Sequence, residues 1–243
     1  WYERIDQFIG NQFLEYATFS ITQENYIRKA AQEFKYWNKK NELPEYKKLL
    51  LQFKLLDNKT HVDDIDEIYE KGVVLGNRSR NFFVPYLVEF CKTLTNKQTE
   101  EIAIHFDELM EERRFKLGGE TKNYQATLEK SFARFFRLLG VKLNDEQRNT
   151  VWLLSSDLED TRHELINDQI KWNQQFVAIL DLRQEKNFKQ ILTDHINSLS
   201  SEDKNTRRVI NRITAEIIAS LDEKQRARFQ KRLGVFETSI DQI

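Results

Sequence analysis

Leu143-Asn144-Asp145-Glu146-Gln147-Arg148-Asn149-Thr150-Val151 lies near the start of a run of 93 residues, between Gly140 and Gly234, that contains neither glycine nor proline. Chains of short strands need those residues at nearly every turn, so the run reads as helix. Val151, Leu154, Leu158, Leu165, Trp172, Phe176 and Ile179 recur near helical spacing. They predict one very long helix over 144–182, about 60 Å at 1.5 Å per residue. Helices over 186–198, 202–220 and 223–237 follow, the last two carrying Val209, Ile213 and Ile217, then Phe229 and Leu233. Upstream the same logic holds, because the 243 residues include only 7 Gly, 2 Pro and 1 Cys. Sandwiches, barrels, doubly wound α/β folds and disulfide scaffolds are thereby excluded.

The front of the chain predicts shorter helices. One covers 2–17, and another runs from Ser20 through Ile27, Phe34 and Trp37 to Asn41 and restarts after Pro44. A third begins at Asp63 or Asp64, with Pro85 interrupting it toward Leu94. Thr95 opens a helix ending at Gly118-Gly119, and 121–139 forms another that Gly140 stops. The expectation is an all-α, elongated assembly of about eight or nine helices. It is read as a single domain over 1–243, with any subdivision near 118–140, between a front half (1–117) and a back half (141–243). Lys plus Arg (38) against Asp plus Glu (39) leaves a net charge of −1, which exerts no long-range pull on nucleic acid or anionic lipid.

One pattern recurs at four helix starts: Phe19-Ser20 with Gln23, Leu94-Thr95 with Gln98, Leu143-Asn144 with Gln147, and Leu221-Asp222 with Gln225. Each is a capping box, in which the cap side chain accepts the N3 amide and the N3 glutamine returns a bond to the cap's own N–H. Any protein of many helices shows several such boxes. Glutamine at every one, where Glu is the commoner residue of this chain, sets these apart. The copies are 75, 49 and 78 residues apart, a spacing that admits a duplicated half.

The four caps resemble the Leu-Thr-x-x-Gln motif of the Spy and CpxP class of periplasmic chaperones, all-helical cradles for unfolded clients or stress sensors. A second resemblance covers more of the chain. Tyr2-Glu3-Arg4-Ile5-Asp6, Phe19 to Gln23, Trp37-Asn38-Lys39-Lys40, Glu42-Leu43-Pro44-Glu45-Tyr46 and the Asn167–Phe176 stretch are similar in order to a family of uncharacterised proteobacterial lipoproteins. That likeness implies a lipidated Cys just upstream, with Trp1 next to an outer-membrane anchor, and a periplasmic address. Asn38 and Lys39 depart from the His-Arg pair that the resemblance implies there.

Glu101, His105 and Glu108 share one helical face at i, i+4 and i+7, a spacing able to offer two carboxylates and an imidazole to a metal. A solvated charged face is the commoner origin of such a set. No Glu-x-x-His pair, nucleophile elbow, phosphate loop or Cys-x-x-Cys occurs. Cys91 stands among apolar neighbours, the setting of an inert thiol. From Ser201 to Arg232 nine basic residues face five acidic ones, without the interleaved aromatics that stack on bases. Aromatics beside prolines suggest a groove for a protein partner, with Trp37, Pro44, Tyr46, Pro85 and Trp172 as its candidates. The expected function is therefore a non-catalytic, cofactor-free, lipid-anchored periplasmic module that binds a protein partner or unfolded client in a chaperone-like way, and not nucleic acid. A structural adaptor of an envelope machine, or a metal protein built on Glu101, His105 and Glu108, are the alternatives.

Overall fold

The computed structural model describes residues 2–119, 123–156, 158–198 and 203–243. Trp1 and the start of the basic segment at Ser201 lie outside them. After a 3₁₀ turn at Tyr2–Arg4 the described residues form eleven α-helices and no strand. They are α1 (Ile5–Leu14), α2 (Ile21–Asn41), α3 (Leu43–Lys54), α4 (Val62–Cys91), α5 (Asn96–Gly119), α6 (Tyr124–Leu138), α7 (Asp145–Leu154), α8 (Arg162–Leu180), α9 (Phe188–Asn197), α10 (Lys204–Ala219) and α11 (Glu223–Asp241). The chain is all-α as its composition requires, with more helices than the eight or nine expected.

The very long helix over 144–182 does not form; α7 and α8 replace it. The break needs neither glycine nor proline. Ser155 is fully buried, and both its N–H (3.0 Å) and its hydroxyl (2.6 Å) donate to the Val151 carbonyl, a back-bonding that favours a bend at this point. The Leu158 N–H then donates to Ser155 O at 3.1 Å, closing a turn that carries the Leu158 side chain into the interior. Pro85 behaves in the opposite way to its prediction, because α4 runs through it without interruption. The carbonyl it deprives of a donor belongs to Asn81, and both residues are exposed, so water can take the missing place. Pro44 occupies the first turn of α3, where the missing N–H costs nothing.

Packing divides the chain into two compact units that interleave along the sequence. Unit 1 comprises Trp1–Lys40, Asn77–Gly119 and Thr161–Ser200; unit 2 comprises Asn41–Gly76, Glu120–Asp160 and Ser201–Ile243. In unit 1, α5 packs along α8, and Val88, Leu180, Phe188 and Leu192 form the interior. In unit 2, α3 lies on α11 and α7 on both α6 and α10, around Phe136, Val151, Ile213, Ile217 and Phe229, each of them fully buried. Gly140 ends α6 with φ +82°, in the arrangement where Val141 N–H bonds Phe136 O (2.8 Å) and Gly140 N–H bonds Arg137 O (3.0 Å). A Cβ at this position would meet Arg228 O at 3.1 Å, so glycine is required twice over.

Candidate functional site

All four capping boxes form, and they pair. In unit 1 the Gln23 N–H donates to Ser20 Oγ (3.3 Å) and the Gln98 N–H to Thr95 Oγ1 (3.2 Å). The two glutamine side chains then face each other: Gln23 Nε2 donates to Gln98 Oε1 (3.1 Å) and Gln98 Nε2 to Gln23 Oε1 (2.8 Å). Each amide also donates to the backbone leading into the other's helix, Gln23 to Thr93 O (3.1 Å) and Gln98 to Thr18 O (3.0 Å). Unit 2 repeats the scheme. Gln147 and Gln225 exchange Nε2–H···Oε1 bonds of 3.0 Å in both directions, and donate to Ser220 O (3.3 Å) and Lys142 O (2.8 Å).

This explains the choice of glutamine over glutamate. A buried pair in which each member must both donate and accept is satisfied by two amides, whereas two carboxylates would face each other with no donor between them. The separations of 75 and 78 residues are the sequence trace of the two pairings.

What differs between the units lies beside the pair. Unit 2 packs Phe136, Ile213, Ile217 and Phe229 into a fully buried centre, while unit 1 surrounds a cavity of about 250 Å³. Two arcs of rings wall it. Phe13, Tyr16, Phe106, Phe176 and Trp172 follow one another at centroid separations of 6.5, 5.6, 5.8 and 5.4 Å. Phe90 contacts both Phe19 (5.3 Å) and Tyr26 (6.1 Å) on the other side. Ala30 and Ala31 of α2 leave the space that larger residues would take. Most of these rings are only half-buried. Their polar tips are tied off at the edge: Tyr26 OH donates to Tyr86 O (3.3 Å), and Tyr86 OH donates to the Glu33 carboxylate, which pushes the Tyr86 phenol up to about 12.

Next to the cavity opens a polar cleft of about 340 Å³, bounded by Ser20, Thr22, Thr93, Thr95 and the paired Gln23 and Gln98. Tyr26 and Phe90 line both spaces. Cap and cavity are thus one construction: the residues that start α2 and α5 form the cleft, and the turns that follow them bound the cavity.

Of the residues singled out as partner contacts, Trp172 lines the cavity. Its indole stacks on His195 at 4.5 Å and donates to His195 O (3.1 Å), while His195 Nε2 bonds Trp172 O at 3.0 Å. Trp37 packs instead on Phe82 (5.0 Å) and Phe34 (5.8 Å) in the same unit, and Pro85 lies exposed on α4. Pro44 and Tyr46 belong to unit 2. Of the rings around the cavity, Phe19 was marked by the capping motif, whereas Phe13, Tyr16, Tyr26 and Phe90 were marked by none. Their only trace is the density of aromatics in the sequence.

Glu101, His105 and Glu108 do not converge. The Glu101 carboxylate accepts the Thr18 N–H at 2.6 Å, which holds it below the ordinary carboxylate range; His105 packs on Tyr16 (4.7 Å), and Glu108 is exposed. Among the described residues no three His, Cys, Asp or Glu side chains gather in a way that would hold a metal ion. Burial pushes the Cys91 thiol up to about 12, so it stays protonated. Several basic residues of the C-terminal segment are engaged within unit 2. Arg207 pairs with Glu70 (3.1 Å), Arg226 donates to Leu56 O (3.1 Å) and Arg232 to Leu138 O (3.1 Å). No described helix is long and apolar enough to cross a membrane.

Neither a curated protein nor a solved structure matches the chain. A family profile does, over residues 15–204, and with most of its length so covered the chain belongs to the family of unknown function DUF6279.

Proposed function

We propose that this protein is a non-catalytic binding module that takes up apolar protein segments in a chaperone-like way, from a lipid-anchored position in the periplasm. The observation that carries the reading is the contrast between two units built on the same glutamine pair. Unit 2 is centred on the fully buried Phe136, Ile213, Ile217 and Phe229, whereas unit 1 keeps a set of half-buried rings around about 250 Å³ of space. An apolar cavity of that size forfeits packing contacts and offers water few polar partners, a cost that a visiting apolar group removes. Tyr and Trp around a pocket are also the residue types that dominate protein-binding hot spots. The envelope address rests on the resemblance of the front third to lipoproteins.

The test is suppression of aggregation of a chemically unfolded client at substoichiometric to equimolar ratios of the full chain. Clear suppression, lost on Phe90→Ser, is the expected result. No suppression, together with no envelope protein cross-linked in cells, would sink the reading. Capture of one partner at fixed stoichiometry would replace it with a structural adaptor. The address is tested separately, by globomycin sensitivity and by fractionation of the full-length product.

A further inference from the structure

We infer that the apolar cavity and the polar cleft of unit 1 form one bipartite site for an extended protein segment without acidic residues, its apolar side chains entering the cavity and its backbone lying in the cleft. This rests on the chaperone-like reading and adds where the segment binds and which chemistry it must have.

The two spaces share the walls Tyr26 and Phe90, so a ligand occupying both is continuous across those rings. One part is apolar in its side chains apart from tyrosine hydroxyls, the Trp172 indole N–H and a buried thiol; the other adds hydroxyls and amides to walls that include the Tyr26 and Phe90 rings. That alternation matches a peptide, which carries amides along its length and apolar groups to one side. About 250 Å³ exceeds the ~150 Å³ engineered cavity that takes up benzene, leaving room for a ring-sized side chain and a smaller neighbour. In the cleft, the oxygens of Ser20 and Thr95 and the amides of Gln23 and Gln98 are held in place by the capping boxes and the glutamine pair. The Thr22 hydroxyl, exposed on the first turn of α2, has no hydrogen bond to any described residue and is placed to meet a peptide amide.

Charge decides between occupants. Among the described residues Glu89 is the one ionic side chain in either lining, paired with Lys92 at 2.8 Å, and no Lys, Arg or His is among the lining residues. A fatty-acid carboxylate, a lipid phosphate or an acidic peptide would therefore lose its hydration with no cation to replace it. A neutral or basic segment meets no such cost.

The experiment is fluorescence anisotropy of a short labelled peptide, a Phe-Leu pair centred among Ser and Asn, titrated with the full chain. Saturable binding is expected, and it should be lost when Ser replaces the pair. Flanking the pair with Asp should weaken binding by about tenfold, equivalent to ~1.4 kcal/mol. Ala30→Phe fills the cavity and should weaken the neutral peptide by at least about tenfold, the scale of losing one hot-spot anchor. Thr22→Lys should narrow the difference between the Asp-flanked and the neutral peptide. Melting curves verify folding, and Phe90→Ser replaces Ala30→Phe should the latter not fold. The inference is overturned if folded Ala30→Phe binds as the parent does, if Asp-flanked peptide binds equally well, or if a labelled monoacylglycerol binds and no peptide does. Equal suppression of client aggregation by the parent and Ala30→Phe would reject this site and leave the chaperone-like reading standing; no suppression by either would reject the reading itself.

Discussion

Gln98 makes five polar contacts from one side chain and its own N–H, and the two donated by Nε2 need a neutral amide. Gln98→Glu removes the Nε2 donor, so Thr18 O and Gln23 Oε1 both lose a partner, and a carboxylate is left in a nearly closed space. Unsatisfied buried groups cost about 1–3 kcal/mol each, so a loss of several degrees in Tm is expected at neutral pH. The same substitution at a solvent-facing glutamine should do little, and a drop no larger than that control's would refute the role. His195 offers a pH test. Burial lowers its pKa below the ordinary 6.5, partly opposed by the bond to Trp172 O. The folded state therefore prefers the neutral ring. Its contribution to stability is complete above pH ~6.5 and is lost as pH falls through the lowered folded value. NMR titration of the imidazole should give a midpoint below 6.5, and His195→Gln should flatten the stability profile across that window. A midpoint at or above 6.5 would contradict it. Cys91 should resist alkylation at pH 8 in the folded protein and react at once on unfolding, since a thiol held at about 12 is scarcely ionised.

At the scale of elements, the exceptions to the sequence reading have opposite causes. The predicted helix ends at Ser155 without a breaker, because the Ser155 hydroxyl back-bonds to Val151 O and Leu158 finds a buried place beyond the turn. Pro85 fails to break α4 because its face is wet. Each outcome depends on which side of the helix the interior lies, and that is a tertiary fact. Pro85→Ala restores an N–H to Asn81 O and should raise Tm, by no more than the ~3 kcal/mol that proline costs inside a helix. An unchanged or lowered Tm would show that the proline fits α4 better than its geometry suggests. Gly140→Ala should act in the other direction. The left-handed φ of +82° costs a non-glycine residue ~1–2 kcal/mol before the 3.1 Å approach to Arg228 O is counted. Gly140 was legible as a helix stop from the sequence; the second reason for it, on α11, was not. The capping boxes were legible to the residue, since a cap and its N3 partner are local.

For the molecule as a whole, the pairing of those boxes is what local patterns do not encode. Nothing in Ser20-Ile21-Thr22-Gln23 names Thr95 as its counterpart, and only the recurrence of a 75- and a 78-residue separation hints at it. The cavity is still less visible, because rings that bound empty space and rings that fill a core share one periodicity. The interleaving of the units is also hidden, since composition shifts along a chain suggest halves in sequence order, near 118–140. Unit 2 instead gathers its residues from three separated stretches. Cooperative opening follows shared packing, so local destabilisation should spread through a unit and not along the chain. Gln147→Ala takes one partner each from Gln225 Nε2 and Oε1 inside unit 2. Hydrogen exchange read by mass spectrometry should then show protection falling together in α3, α6, α7, α10 and α11, including α3 near the chain's start. Helices α5, α8 and α9, two of which lie in the back part of the sequence, should keep their parent rates. The reciprocal substitution Gln98→Ala should reverse the two groups. Loss confined to one half of the sequence, or spread equally over all eleven helices, would show that the packing units are not the cooperative ones.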